Sequence, residues 1–385
     1  MTFSKKYDII IFIKQSAIKE RLSMKVRRLI SDLRTCDYVI DVRQKHELRI
    51  LQLTDMQIID LDSTRNPTRD RQIKGAYFKE GVPSMDERCF VYVQELIERT
   101  SPDLILMTGD NVYGEFDDNC RMLRLLCERM EEYGVYWAPV FGNHDNESRI
   151  GVREQIRIMT SYSKCLFCDN GVTGHSNYNI LIRSDERDVL GIFMLDSNGC
   201  KNVGNPWAPE EGVTPDNIDY DLLEHRQGIY PDQVEWFKKR AYAINAENGK
   251  RIPSIVCFHI PSKIFDKAFC EKYGYVYKQD FIADKDGDMG RIVEHGNHSG
   301  VDDDLSFHKI AKDSGAIAYL VGHEHNNNAC IKYDGIYLNY GVKTGVCTYY
   351  KDDSIGGTLI TVPLSTPTEI KFEHVLCENR LKNNL

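Results

Sequence analysis

Three stretches constrain this chain most: "LRILQLTD" (48–55), "LILMTGD" (104–110) and "VYWAPVFGNHD" (135–145). Each is a short apolar run rich in β-formers that ends on polar, metal-compatible side chains. The segments between them, "ERCFVYVQELIERTSPD" (87–103) and "CRMLRLLCERMEEYG" (120–134), carry apolar residues at helical spacing, and the second closes on Gly134. Strand, helix, strand, helix, strand in this order predicts parallel strands joined by helical crossovers. In such sheets ligands sit beyond the carboxyl ends of the strands, where all three runs place their polar residues.

The second half reads as richer in strands: 177–183, 189–197, 253–261, 316–325, 328–341 and 357–364, with helices near 231–246 and 303–314. Further polar groups fall at strand ends here: Asp196, His259, His323 and His325. The long polar segments 198–230 and 262–302 read as loops covering a site. His295 and His298 on the second, and Arg149 and Arg153 after "GNHDNE", read as surface residues, with substrate contact as the sharper alternative. Asp196 reads as structural support.

Residues 1–46 read as a basic N-terminal extension, a strand plus an amphipathic helix, ahead of a main domain at 47–385. The first 34 residues carry nine Lys or Arg against three Asp or Glu, and Ile18, Leu22, Val26, Leu29, Ile30 and Leu33 recur at helical spacing. Docking on the main domain is the plain reading, and a weak membrane-surface or partner contact is the alternative. The apolar run 7–13 closes on Lys14 without a cleavage-like site, which reads as no secretory leader. No run approaches the ~20 apolar residues that a membrane span requires.

At 385 residues, 42% hydrophobic and 28% charged, the chain can bury a large core. A net charge of −9 argues against a nucleic-acid partner, because phosphate backbones are met with clustered Lys and Arg. The twelve cysteines are scattered, several inside strand-like runs, which favours buried thiols and a reducing, cytoplasmic setting. Cys165 and Cys168 lack the second pair that a structural zinc would need.

Taken in order, "TD…GDNVY…GNHD…FHIP…GHEH" gathers Asp55, Asp110, Asn143, His144, His259, His323 and His325 at the ends of predicted strands. The pattern resembles that of the calcineurin-like metallophosphoesterases: D-x-H, G-D, G-N-H-D/E, a lone His and G-H-x-H, here over about residues 47–365. The resemblance implies a four-layer α/β/β/α sandwich of two mixed sheets. It also implies hydrolysis of a small phosphorylated substrate, a monoester before a diester, by water activated between two metal ions (iron, manganese or zinc). Asp110 would bridge the ions. Asn143, His259 and His323 would complete the second ion's shell, and Asp55 and His325 would bind the first. His144 would protonate the leaving oxygen, with Asp145 holding its imidazole.

One block departs: Gln57 stands where the pattern has histidine. "GDNVY" (109–113) is similar to the G-D-x-x-Y block of the purple acid phosphatases, which implies Tyr113 as a phenolate ligand to ferric iron in surroundings free of lysine. Tyr113 packed in the loop, with Gln57 binding through its amide oxygen or ordering a water, is the alternative. A binding protein with a degraded site is the third reading of the whole chain.

Overall fold

The computed structural model describes residues 24–29, 35–62, 85–199, 227–276, 278–295 and 304–378. In chain order these form β1 (Met24–Arg28), β2 (Tyr38–Val42), β3 (Glu47–Leu53), α1 (Met85–Thr100), β4 (Leu104–Thr108), α2 (Arg121–Glu132), β5 (Tyr136–Val140), α3 (Val152–Met159), β6 (Tyr178–Ser184) and β7 (Arg187–Met194). They continue as α4 (Pro231–Asn248), β8 (Ser254–Cys257), α5 (Lys263–Tyr273), β9 (Phe281–Ile282), β10 (Arg291–Ile292), α6 (Asp304–Ser314), β11 (Ala316–Val321), β12 (Cys330–Tyr333), β13 (Ile336–Tyr340), β14 (Gly356–Pro363) and β15 (Lys371–Leu376).

Eight strands in the order β1-β2-β6-β7-β8-β11-β13-β12 make one sheet, and β15-β14-β3-β4-β5 make another. Both are mixed: β3, β4 and β5 run parallel while β14 lies antiparallel to β3, and β7, β8, β11 and β13 run parallel beside antiparallel edges.

The layering follows from period-two alternation with both faces buried. In the larger sheet Ile40, Ile192, Met194, Ile255, Ala318 and Leu320 join one core together with Leu51, Leu53, Leu106 and Ala138 of the smaller sheet. Their neighbours Val39, Phe193, Val256, Tyr319 and Val321 face a second core with Phe237 of α4, Phe265 of α5 and Phe307 of α6. Helices α1 and α2 supply Val93, Leu96, Leu126 and Met130 to the first core, and α1 packs on β3 and β14. The result is helices, larger sheet, smaller sheet, helices. A buried polar bridge ties the sheets together near the strand ends: Gln52 Nε2 donates to Thr108 Oγ1 and to the Val321 carbonyl, and Gln52 Oε1 accepts from Asn339.

Three expectations are corrected. Met24–Arg28, placed by its spacing within a helix, is a strand paired antiparallel with Tyr38–Val42, so this part of the N-terminal segment forms the edge of the larger sheet. Pairing decides here because a five-residue run cannot distinguish the two periods. Segment 262–302, read as a loop, contains α5, closed by the left-handed Gly274, and the β9–β10 hairpin. The run 328–341 is a hairpin of β12 and β13 turning at Asp334-Gly335, both at positive φ. The expected helix residues upstream of 24 and at 30–34, most of 198–230, and His298 lie outside the described residues.

Candidate metal centre

The carboxyl ends of β3, β4, β5, β8 and β11 meet where the two sheets abut, and the polar residues following them converge. Gln57 N–H donates to the Asp110 carbonyl and Gly322 N–H to the His259 carbonyl, so the loops are laced together. Asp55, Gln57, Asp110 and His323 all adopt positive φ (50°, 44°, 52° and 75°). Non-glycine residues rarely do so, and the strain persists only where surroundings enforce it. Close approach is also built in: a Cβ on Gly142 would lie 2.2 Å from Asp110 Oδ1.

Asp55, Asp110 and His325, all buried, bring one ligand atom each within 4.8 Å of one another. His325 turns Nε2 to Asp55 Oδ1 at 3.5 Å while its Nδ1 meets the Tyr349 carbonyl at 3.0 Å. His259 repeats the arrangement: Nδ1 donates to the Thr108 carbonyl at 2.8 Å, and Nε2 stands 3.4 Å from Asp110 Oδ2. An imidazole fixed through one nitrogen by a backbone carbonyl, with the other turned toward a carboxylate, is the usual posture of a metal ligand. His259 Nε2 and both side-chain polar atoms of Asn143 are buried without a hydrogen-bond partner. Unpaired polar atoms in a packed site are costly, and a cation would satisfy two of these, Asn143 Oδ1 and, once its proton is displaced, His259 Nε2. His323 completes this side: its ring meets that of His259 edge-on at 5.2 Å, and its N–H donates to the Asp55 carboxylate. The residues therefore fit the two-ion arrangement that the sequence suggests.

The charges agree with this. Burial opposes ionisation of Asp55, but the hydrogen bond from His325 and the charge of His259 hold its carboxyl below the ordinary carboxylate range. Asp110 is held low in the same way by His259 and His144. For His259 burial pulls downward, and the Asp110 and Asp55 carboxylates outweigh it, raising the imidazole to about 9. His325 is driven down to about 4 by burial and by the charge of Lys343.

Asp145 does not hold the His144 imidazole as expected. Its carboxylate accepts from the backbone N–H groups of Val112 and Gly142 and from Asn111 Nδ2, and so pins the second and third loops together. Burial and the Asp110 charge raise it to about 7. The partner of His144 Nδ1 is Glu147 Oε2 at 2.8 Å, within the short 3-10 turn Asp145–Glu147. The signal was present in "GNHDNE", three residues past the histidine, a distance that one helical turn brings together. His144 also donates its backbone N–H to Asp110 Oδ1 and stacks on the Tyr113 ring, centroids 4.2 Å apart.

Gln57 directs Nε2 to Asp110 Oδ2 at 2.8 Å, while Oε1 accepts from Thr348 Oγ1 and lies 3.5 Å from Lys343 Nζ. Its amide oxygen is thus taken, and the amide orients the carboxylate expected to bridge the ions. Tyr113 packs with Ile59, Tyr92, Phe116 and Val346 as well as on His144. The expectation of surroundings free of lysine is overturned by Lys343, only 1% exposed, whose Nζ donates to the Asp55 carbonyl at 2.8 Å. Burial lowers its pKa, against the pull of Asp55 and Asp110. Neither Lys343 nor Thr348 carried a sequence signal, since both lie nearly 300 residues from the loops they serve.

Asp196 braces the site from behind, accepting from Ser176, which in turn accepts from the Phe141 N–H before Gly142. His295 is engaged by Asp280 and Tyr275, and Arg149 by Asp118.

With fold and site in place, the comparisons with known proteins agree: the family model for calcineurin-like phosphoesterases matches residues 48–327, well over half of the chain. The chain belongs to that family. Its curated relatives include "Probable inactive purple acid phosphatase 29" of Arabidopsis thaliana, 23% identical over 319 residues spanning 79% of this chain and 74% of that protein. "Phosphatase DCR2" of Saccharomyces cerevisiae is 22% identical over 76% of this chain, which spans about half (49%) of that protein's length. Among solved structures, a dimetal phosphatase from Danio rerio aligns with 85% of this chain and 98% of its own at a TM-score of 0.42 and 11% identity. No described helix is long and apolar enough to cross a membrane.

Proposed function

We propose that this chain is a metal-dependent phosphoric ester hydrolase acting on a small phosphomonoester. The observation that carries the reading is the paired set of acceptors around Asp110: Asp55 and His325 on one side, and Asn143, His259 and His323 on the other, with Asn143 and His259 left unsatisfied by the protein itself. Iron, manganese or zinc held by this set, with Tyr113 as a further ligand on the first side, would neutralise phosphoryl oxygens and activate water near neutral pH. The chain's own residues do the rest. Asp110 is aimed by Gln57 Nε2 and the His144 N–H. His144, held through Nδ1 by Glu147, keeps Nε2 as the atom that exchanges a proton with the leaving oxygen. Asp145 fixes the loop that carries Asn143 and His144.

Hydrolysis of 4-nitrophenyl phosphate, its bis-ester and common nucleotides, measured on protein whose metals are counted by mass spectrometry, tests this. Monoester turnover that is lost on chelation and regained with metal supports it. Preference for the bis-ester makes the chain a diesterase. The second reading, a binding protein with a degraded centre, draws on Gln57 and on the word "inactive" in the relatives' names. It predicts bound metal without turnover of any ester.

A further inference from the structure

The two sides of Asp110 differ in what competes with an ion. On the side of Asn143 and His259, the protein leaves Asn143 Oδ1 and His259 Nε2 buried with no partner. On the side of Asp55 it presents donors. Lys343, in the stretch "YGVKTG" after β13, donates Nζ to the Asp55 carbonyl at 2.8 Å and lies 3.5 Å from Gln57 Oε1. Gln57 turns its Nε2–H onto Asp110 Oδ2. The ammonium, held on the Asp55 backbone carbonyl, opposes a second cation beside it, and the Gln57 N–H occupies a lone pair of Asp110 that a metal would otherwise use. A buried cation is retained only against a desolvation cost, which the carboxylates and the two oxygen acceptors here offset.

We propose that Lys343 acts as a fixed counter-cation that makes the two metal positions unequal. The position of Asp110, Asn143, His259 and His323 fills first, and the position of Asp55, Asp110 and His325 takes its ion only at much higher free metal. This rests on the metal-dependent reading above for the existence of both positions, and says in addition which one is labile and why.

The test counts ions rather than turnover. The full chain is equilibrated across a series of buffered free Mn²⁺ concentrations, and manganese per chain is measured by mass spectrometry. Two steps separated by at least about tenfold are expected, a lower bound set by what a unit charge at ~4 Å exerts on a divalent ion even under water-like screening. Lys343→Met, which keeps the stem and removes the charge, should tighten the weaker step by about tenfold and leave the stronger one in place, and Lys343→Arg should preserve the gap. The proposal is overturned if the unaltered chain fills both positions together, a result that needs no variant to fold. It is also overturned if a folded Lys343→Met chain keeps the original gap, or if its stronger step is the one that moves. Unequal steps in a chain that hydrolyses nothing would refute the proposed function alone. Equal steps in an active enzyme would refute this inference alone.

Discussion

Replacing Glu147 with Gln separates orientation from charge at the residue proposed to handle the leaving group. The Glu147 side chain is 1% exposed, and its Oε2 lies 2.8 Å from His144 Nδ1, so the bond is short, dry and charge-assisted. Glutamine keeps the volume and can still accept from Nδ1–H through its amide oxygen, but it no longer stabilises a protonated imidazole. A hydrogen bond to a charged group contributes ~1.5–3 kcal/mol. If that difference is expressed only when the imidazole carries its extra proton, kcat falls by roughly 10- to 150-fold at ~1.4 kcal/mol per decade. The loss should appear with phenyl or alkyl phosphates, whose leaving oxygens need a proton, and shrink to a few-fold with 4-nitrophenyl phosphate, whose leaving group does not. The assay is kcat and KM for both ester classes, with metal content measured on the same samples. Glu147→Asp, with a shorter reach, should recover part of the alkyl-ester rate. An equal loss for both classes, or a loss matched by missing metal, would show that Glu147 only holds the loop, and the assignment of His144 as proton donor would lose its support.

Asp110→Asn should remove the shared negative ligand and set an amide N–H against the Gln57 or His144 donors. Metal per chain and turnover should fall together by orders of magnitude, and a variant with full metal content would overturn the site. Asp117, buried beneath the start of α2, is raised to about 6 by burial, which outweighs the bonds from the Met122 and Leu123 amides. Its native-state proton therefore stabilises fully below about 3.8 and is lost as pH rises through 6, so thermal stability should decline over that window more in the unaltered chain than in Asp117→Asn. Parallel pH profiles would refute this. Iron-loaded protein should absorb in the visible if Tyr113 binds ferric iron as phenolate, and Tyr113→Phe should bleach it while the second ion stays. A colourless iron-loaded protein refutes the ligand.

The candidate ligands could be picked out because each sits just after a strand whose apolar run announces it. Asp55, Asp110, Asn143, His259 and His323 are placed by β3, β4, β5, β8 and β11, and parallel sheets deliver such residues to one edge. The supporting groups were not legible, for two physical reasons. Glutamine, threonine and lysine are not typical ligands, so "YGVKTG" and Thr348 attract no notice. Their partners are also remote: Gln57 meets Thr348 across 291 positions and Lys343 across 286. Adjacency in sequence is not adjacency of side chains: Asp145 follows His144 yet turns its carboxylate to the Val112 and Gly142 amides. In a 3-10 turn it is the residue three positions on, Glu147, that returns to the histidine. Met24–Arg28 misled through a spacing that strand and helix share over so few residues.

These supporting groups bear on whether Gln57 marks decay. A site under no constraint would relax its strained backbone and leave an orphaned amide where an imidazole had been. Here Gln57 itself sits at φ 44°, and all its side-chain polar ends are engaged: Nε2 on Asp110, Oε1 with Thr348 and Lys343. Asp55, Asp110 and His323 are held at positive φ beside it, and each such residue costs on the order of 1–3 kcal/mol. That strain lies in the loops that carry the candidate ligands, beside Asn143 Oδ1 and His259 Nε2, which are buried without a partner, and it weighs against decay. Gln57 is therefore better understood as half of an altered first position, with Lys343 as the other half. On the proposed reading the amide steers Asp110, the ammonium on the Asp55 carbonyl opposes an ion at that position, and an ion bound there would exchange more readily than its neighbour.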